Sequence, residues 1–293
     1  MFNRSWLFMP GNKEKMLDKS LAIGTDAVVW DLEDGVPQAD KPAARALIRA
    51  KLDTLPLQTG ESSSPPQFYV RINGVTAGVF EEDLKAAVSN NLSGIMMPKV
   101  ESPDEVRLIA RTLATLEKER NIPVGSIKII VTFETALGVI RAFEIASASD
   151  RVLGLCFGAE DYTLDLGTSR SREGSELFYA RSTIAVTAAA VKAQVIDTVF
   201  SDLNDEEGLS RECQLARQMG FTGKCAIHPK QLPIINRLFS PTERELDYAR
   251  KVVAAYDKAQ EAGLGVITVD GKMVDPPVVE RSRQLLKRFK DNP

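Results

Sequence analysis

The sequence predicts an α/β protein, a (β/α)8 TIM barrel followed by a C-terminal helical extension. Eight short apolar segments alternate with longer amphipathic ones along the chain. The eight units fill about 230 residues, the size of such a barrel, whereas a doubly wound sheet usually stops at five or six strands. The chain has 293 residues, 44% of them apolar, so it can bury a core of that size.

The strand candidates are short apolar runs bounded by polar or turn-forming residues. They lie at residues 5–9, 27–32, 68–72, 94–98, 127–133, 152–157, 195–198 and 224–227. The helical candidates between them cover residues 13–22, 41–55, 81–90, 103–120, 136–148, 175–193 and 205–219. Because strands and helices alternate, we expect parallel strands joined by helical crossovers.

Two segments fall outside this repeat. Residues 58–67 include SSSPP and little that can pack, which predicts a surface loop. A long helix is predicted to end at residue 262, with Ser240 as its N-cap, Pro241 in its first turn and Glu243 three residues on. A link with a candidate strand at 267–269 then leads to a last helix at 277–290. We therefore expect a catalytic barrel at residues 1–239 and an extension at 240–293.

Composition narrows the range of partners. A net charge of −3 without a basic cluster argues against nucleic acid, so small molecules are the expected partners. The N-terminus lacks a signal-peptide pattern, and no apolar stretch approaches the roughly 20 residues that span a bilayer. Cys156, Cys213 and Cys225 lie far apart in the sequence, and their spacings do not match those of a metal-binding motif. These features predict a soluble, cytoplasmic protein with reduced cysteines.

Polar side chains follow five successive strand candidates. They are Asp31, Glu33 and Asp34 after the second, Arg71 and Asn73 after the third, Lys99 and Glu101 after the fourth, Glu134 after the fifth and Asp161 after the sixth. A single polar residue at the end of a strand is ordinary. Five such ends in succession indicate an active site, because barrel enzymes place their functional groups at the C-terminal ends of the strands.

Glu134 and Asp161 are candidate metal ligands. A hard cation such as Mg²⁺, or Mn²⁺ in its place, takes one or two carboxylates and leaves other positions to water and substrate. The sequence argues against a zinc site or a two-histidine iron site, because His228 is the one histidine and the cysteines do not occur in closely spaced pairs. We interpret His228 as a structural hydrogen-bonding residue. Nucleophile-elbow, Walker and dinucleotide motifs are absent from the sequence.

A series of motifs resembles the citrate lyase beta-subunit family, which includes malyl-CoA and citramalyl-CoA lyases and, more distantly, the class II HpcH/HpaI aldolases. The motifs are RSWLFMPG at 4–11, DLEDGV at 31–36, VRIN at 70–73, MPKVES at 97–102, FET at 133–135, GAED at 158–161 and GKCAIHP at 223–229. They cover nearly the whole chain in order, so the resemblance is specific.

The resemblance implies roles for individual residues. Glu134 and Asp161 match the two Mg²⁺ ligands of the family, and Glu33 and Asp34 are placed to hold waters bound to that ion. Arg71 matches an arginine that contacts the thioester or 2-oxo oxygen of the substrate.

It also implies groups that bind the rest of the substrate. Gly158 and the amides of Ala159, Glu160 and Asp161 match a turn that holds the substrate carboxylate, together with Glu134. Asp275, in GKMVDP at 271–276, matches an acid/base aspartate that the tail of a neighbouring subunit delivers. A helix N-cap fits Asp275 equally well.

Lys15 and Lys19, one helical turn apart, resemble residues that meet the phosphates of coenzyme A, and a solvated helix face fits them nearly as well. The implied activity is Mg²⁺-dependent cleavage of a 3-hydroxyacyl-CoA thioester, of the citramalyl, malyl or citryl type, to acetyl-CoA and a 2-oxo acid. Homotrimers or hexamers are implied. The alternatives are an acyl-carrier-protein-dependent citryl lyase subunit, a class II aldolase acting on free 2-oxo acids, and a catalytically silent assembly subunit.

Overall fold

The computed structural model describes residues 3–55, 66–261 and 265–289. Contacts within the chain define two compact units, one that extends from Asn3 to Phe239 and one that begins at Ser240. Most of the surface loop predicted at 58–67 lies outside the described residues, as do residue 262 of the long predicted helix and residue 290 of the last one.

Eight parallel strands close the first unit into a barrel in chain order, and the last strand pairs with the first. The strands are β1 (Ser5–Pro10), β2 (Ala27–Asp31), β3 (Gln67–Arg71), β4 (Gly94–Met97), β5 (Lys128–Phe133), β6 (Val152–Phe157), β7 (Gln194–Asp197) and β8 (Gly223–Ala226). The predicted (β/α)8 class is confirmed. Each predicted strand boundary lies within one residue of the observed one.

Helices follow the strands around the barrel. They are α1 (Glu14–Ser20), α2 (Lys41–Thr54), α3 (Phe80–Ala87), α4 (Pro103–Glu119), α5 (Ala136–Ile140), α6 (Ala142–Ala146), α7 (Ala159–Asp165), α8 (Phe178–Val191), α9 (Glu206–Gln218) and α10 (Leu232–Leu238). The single helix predicted at 136–148 is wrong, because Arg141 leaves helical geometry at φ −95° and ψ 13° between α5 and α6. Its guanidinium there donates to the carbonyl of Glu101 at 3.1 Å. The short helix α7 was not predicted.

The strands separate two apolar cores. Their inward side chains fill the barrel interior with Trp6, Ala27, Val29, Tyr69, Met96, Ile130, Cys156, Ile196 and Cys225. The intervening residues, such as Leu7, Val28 and Val70, pack against the helices in a larger cluster. Because side chains fill the interior, functional groups are presented at the strand ends rather than along a central channel.

The second unit is a helical hairpin of two helices that carries a small β-hairpin. It consists of α11 (Glu243–Glu261), β9 (Ile267–Val269), β10 (Lys272–Val274) and α12 (Pro276–Phe289). The two strands pair antiparallel around Asp270 and Gly271, which both have positive φ (47° and 74°), as a tight hairpin turn requires. The strand at 267–269 and the last helix thus form as predicted, apart from residue 290.

The predicted N-cap of the long helix is wrong. The helix begins at Glu243, and Thr242 caps it instead of Ser240. The Thr242 hydroxyl accepts from the Glu245 N–H at 3.2 Å, and the Glu245 carboxylate accepts from the Thr242 N–H at 2.7 Å. This reciprocal pair is a capping box, so Pro241 precedes the helix.

Within residues 3–55, 66–261 and 265–289, none of the helices combines the length and apolar character needed to cross a membrane.

Candidate active site

A cavity of about 350 Å³ lies at the C-terminal ends of the barrel strands. Its walls include Arg71, Glu134 and the segment from Gly158 to Asp161, which the sequence analysis singled out. Asp31, which was predicted as a polar strand end without an assigned role, and Thr132, which was not predicted, also line it. The structure therefore brings the ends of β2, β3, β5 and β6 to one opening.

Arg71, the last residue of β3, is clamped by carboxylates. Its Nε and Nη2 each donate to one oxygen of Asp31 at 2.6 Å, and Nη1 lies 2.8 Å from a Glu33 oxygen. Burial lowers the pKa of Arg71, but the charge and hydrogen bonds of Asp31, and the charges of Glu33 and Glu134, raise it above its ordinary value. The guanidinium is thus permanently charged and fixed in orientation.

Asp31 was predicted to lie at the active site as one of the polar strand ends, but no role was assigned to it. It accepts the N–H groups of Glu33 and Gly35 at 2.9 and 2.8 Å in addition to its two bonds from Arg71. It is buried, and the charge of Arg71 lowers its pKa although burial opposes this. The period-two pattern of β2 accounts for its position, because Ala27 and Val29 point into the barrel and residue 31 continues that face.

Lys99, which follows β4, lies among the carboxylates of the site. Its ammonium donates to Glu33 at 2.7 Å and to Asp34 at 3.0 Å, and it lies 3.6 Å from Asp161. The residue has a left-handed backbone, φ 51°, and its N–H donates to a Glu134 oxygen at 2.9 Å. Glu33 and Asp34 therefore contact Lys99 in this structure, a partner that the sequence analysis did not assign to them.

Glu134, directly after β5, is almost fully buried. Burial and the charges of Glu33 and Asp161 together raise its pKa to about 8, although the charges of Arg71 and Lys99 oppose this shift. Gly158 packs against it so closely that a β-carbon at residue 158 would lie 2.5 Å from its Oε1.

Asp161 and the turn before it belong to α7. The Ala159 N–H donates to the Thr198 hydroxyl at 3.0 Å, so the structure does not present this amide to a ligand as predicted. The amides of Glu160 and Asp161 remain the predicted donors to a carboxylate, because N–H groups in the first turn of a helix have no acceptor within it. The Glu160 side chain accepts from Arg170 at 2.8 Å.

The donor set fits Mg²⁺. Five carboxylates, those of Asp31, Glu33, Asp34, Glu134 and Asp161, surround two cations, so the cluster has an excess of negative charge. Across the part of the chain that the structure describes, no group of three or more acidic, histidine or cysteine side chains is arranged to hold a metal alone. Two carboxylates with water and substrate completing the shell is the arrangement that Mg²⁺ accepts.

The remaining predicted residues lie elsewhere. Lys15 and Lys19 are exposed on α1. Asp275 belongs to the second unit, where its side chain accepts from the Val278 N–H at 3.3 Å at the start of α12, the geometry of an N-cap. His228 caps the turn after β8, because its Nδ1 accepts from the Lys230 N–H at 3.1 Å, and its structural interpretation is confirmed.

A parallel barrel with paired carboxylates and a fixed arginine at its mouth is the architecture of a barrel enzyme that handles an anionic substrate. The HpcH/HpaI aldolase/citrate lyase family model matches residues 4–229. The chain belongs to the HpcH/HpaI aldolase/citrate lyase family. This membership confirms the predicted resemblance and the predicted class, a carbon–carbon lyase.

Individual relatives match along nearly the whole chain. Citrate lyase subunit beta of Leuconostoc mesenteroides subsp. cremoris is 41% identical over 97% of this chain and 92% of the relative. The mitochondrial citramalyl-CoA lyase of Homo sapiens is 34% identical over 96% of this chain and 83% of the relative. The crystal structure of Mycobacterium tuberculosis CitE with magnesium, acetoacetate and coenzyme A has a TM-score of 0.77 at 33% identity and covers 98% of both chains.

Proposed function

We propose that the protein is a Mg²⁺-dependent lyase that cleaves a 3-hydroxyacyl-CoA thioester, of the citramalyl, malyl or citryl type, to acetyl-CoA and a 2-oxo acid. Its similarity to citramalyl-CoA lyase and to a structure containing magnesium and coenzyme A supports this assignment. The observation that carries it is the buried Glu134 carboxylate, which lines the cavity together with Asp161 and Arg71. Burial and the neighbouring charges of Glu33 and Asp161 raise the pKa of this carboxylate. A divalent cation would relieve both effects.

Each proposed role follows from a position in the site. Glu134 and Asp161 would hold the ion, which would supply Lewis-acid chemistry to the substrate. Arg71 stabilises the enolate oxygen that forms as the carbon–carbon bond breaks. Its two hydrogen bonds to Asp31 fix the position of the guanidinium charge before the reaction begins. The amides of Glu160 and Asp161 orient the substrate carboxylate. Protein nucleophiles are unnecessary, because the thioester already activates the substrate.

Mg²⁺ titration calorimetry in the presence of a 2-oxo acid tests the metal assignment. Wild-type protein should bind Mg²⁺, and Glu134→Gln and Asp161→Asn should each abolish binding. Glu144→Gln is the matched control, because Glu144 lies in the same strand-to-helix unit but its exposed carboxylate pairs with Arg141. Unchanged binding in both site variants would remove the assignment.

A subunit that takes its thioester from an acyl-carrier protein is the second candidate. The 41% identity with a citrate lyase beta subunit favours it. Acetyl-CoA release from malyl-, citramalyl- and citryl-CoA separates the two, since a carrier-dependent subunit should be active only when the acyl group is attached to its carrier protein.

We also propose a homotrimer, or a multiple of it, in which Asp275 of one chain protonates the enolate carbon in the barrel of the next. Exposed apolar side chains on α5, α6, α7 and α8 support a subunit interface; they include Ile140, Phe143, Leu164 and Val186. A mixture of Asp275→Asn and Arg71→Ala chains should recover part of the activity, because some interfaces combine an intact barrel with an intact tail. If subunits exchange and the mixture stays inactive, Asp275 is an N-cap only.

A further inference from the structure

Two thiols meet at the base of the cavity. Cys156 on β6 and Cys225 on β8 both line it, and their sulfur atoms lie 3.5 Å apart. Thr132, two residues before Glu134, is the register partner of Cys156 on the neighbouring strand and lines the same cavity. The three side chains form one small surface, which we call the cavity base.

The proposed lyase reaction uses none of these groups. A buried cysteine usually serves as a small apolar residue, and Cys213, buried in the outer core on α9, is of that kind. Cys156 and Cys225 differ because they line the cavity and their sulfur atoms are in contact. Thr132 beside them is 3% exposed, and its hydroxyl has no hydrogen-bond partner within the described ranges. Since an unpartnered buried hydroxyl is costly, it points to a ligand at this place.

The separation of the sulfur atoms suits a shared ligand better than a disulfide. β7 lies between β6 and β8, so their backbones are about 9 Å apart, beyond the roughly 7 Å that a disulfide can span between α-carbons. Two sulfur atoms bound to one centre at about 2.3 Å, with an angle near 100°, lie about 3.5 Å from each other. The observed 3.5 Å therefore needs no backbone movement to accept a single bridging atom.

We propose that Cys156 and Cys225 form a dithiol site for one thiophilic ion, with trivalent arsenic as the matching chemical class. Arsenite, As(OH)₃, exchanges two of its hydroxides for the two sulfur atoms. Each thiol proton leaves with one hydroxide as water, two arsenic–oxygen bonds are replaced by two arsenic–sulfur bonds, and arsenic stays trivalent. The third hydroxide remains on arsenic, where the Thr132 hydroxyl can bond to it.

Arsenite is the probe of choice because a borderline divalent cation such as Zn²⁺ would also bind the carboxylates of Glu134 and Asp161. Native mass spectrometry of the full chain should show one arsenic per subunit, and arsenic X-ray absorption should show two sulfur atoms and one oxygen. Cys156→Ala and Cys225→Ala should each weaken binding at least about a hundredfold, since the second thiol binds as an intramolecular ligand. Cys213→Ala is the matched control and should bind as wild type does.

Three outcomes would overturn the proposal. They are the absence of arsenic from the wild-type protein, unchanged affinity in either cavity variant, and a shell that contains one or three sulfur atoms. If one cavity variant does not fold, the other variant and the absorption spectrum of the wild-type protein still decide the question. None of these measurements depends on lyase activity, so the result is independent of the proposed function.

Discussion

Two clusters of charged side chains in the barrel unit differ in how fully their charges are compensated. At the mouth, five carboxylates share the charges of Arg71 and Lys99. Behind β7 and β8, Asp197 and Glu212 are surrounded by cations. The first cluster is acidic and opens to the cavity, whereas the second is closed within the protein.

The closed cluster satisfies its acids completely. Asp197 accepts from Arg181 at 2.9 Å and from Lys224 at 2.7 Å. Glu212 accepts from Lys224 at 2.6 Å and from Arg170 at 2.9 Å. Arg170 in turn donates to Glu160, so this network reaches the turn that precedes Asp161.

The carboxyl pKa values show the consequence. Burial raises the pKa of Asp197, but the charges of Lys224 and Arg181 lower it to about 2. Burial also raises the pKa of Glu134, and there like charges raise it further, to about 8. The charges of the closed cluster are balanced as soon as the chain folds. The acidic cluster needs a cation from outside to balance its charge. This difference distinguishes a structural site from a binding site where both are buried.

The largest expected effect comes from breaking the closed cluster. Lys224→Met should lower the free energy of unfolding by about 3–5 kcal/mol, because it leaves buried carboxylate charge without its partner. Urea unfolding measures this change. Arg172→Met is the control, since the Arg172 side chain is 73% exposed, and it should change stability by no more than about 0.5 kcal/mol. A similar small change for Lys224→Met would contradict the comparison.

At the mouth, Arg71→Ala should lower kcat by about 10²–10³-fold and raise KM by much less, because the lost contact acts mainly in the transition state. Steady-state kinetics with the active thioester measures both constants. Arg45→Ala removes another partly buried arginine, which pairs with Asp83 outside the cavity, and should keep kcat near wild type. An effect on KM alone would make Arg71 a uniform binding residue.

The two clusters should respond to pH in separate windows. Glu134 keeps a proton in the folded state up to about pH 8 that the unfolded chain releases near its ordinary pKa of 4.5. Metal-free protein should therefore lose stability, on the order of 3 kcal/mol, as pH rises from 5 to 8. The contribution of Asp197 is present above about pH 4 and is lost only as pH falls toward 2.

Urea unfolding at several pH values tests this difference. The loss between pH 5 and 8 should disappear in Glu134→Gln, and it should also disappear when Mg²⁺ and a 2-oxo acid are bound. A wild-type profile that is flat from pH 5 to 8 would show that Glu134 is ionised throughout.

The smallest expected effect is on the free energy of unfolding when either of two buried threonines is replaced. Thr132→Val should leave the free energy of unfolding unchanged or raise it by up to about 1 kcal/mol, because the hydroxyl has no partner to lose. Thr163→Val should cost about 1 kcal/mol, because its hydroxyl donates to the Ala159 carbonyl at 2.9 Å. Thermal unfolding of the metal-free proteins measures both. Equal losses would show that Thr132 is satisfied in solution.

Features encoded by short-range patterns were predictable from the sequence. The alternation of apolar and amphipathic segments identified all eight strands of the barrel, and the strand-end rule placed Arg71, Glu134 and Asp161 around one opening. Short elements were harder. The seven-residue helix α7 follows Gly158 without an apolar stripe of its own, so the sequence indicated an acidic loop there.

Contacts between distant residues were not predictable. Lys224 lies in an apolar run and looked like a strand residue, and its partner Asp197 is 27 positions away. Lys99 contacts Glu33, which is 66 positions away in the sequence. Lys99 also has a left-handed backbone conformation that no local sequence pattern predicts. Such pairs follow from barrel closure, which places side chains from separate strands together only after the fold is known.

Gly158 limits how this site could be redesigned. Any larger residue there would displace the Glu134 carboxylate, whatever its chemistry, because the interference comes from the β-carbon itself. A mutagenesis library aimed at new acyl groups should therefore keep position 158 invariant. Variation is better placed at Cys156, near the end of β6, and at its register partner Thr132, because both side chains line the cavity.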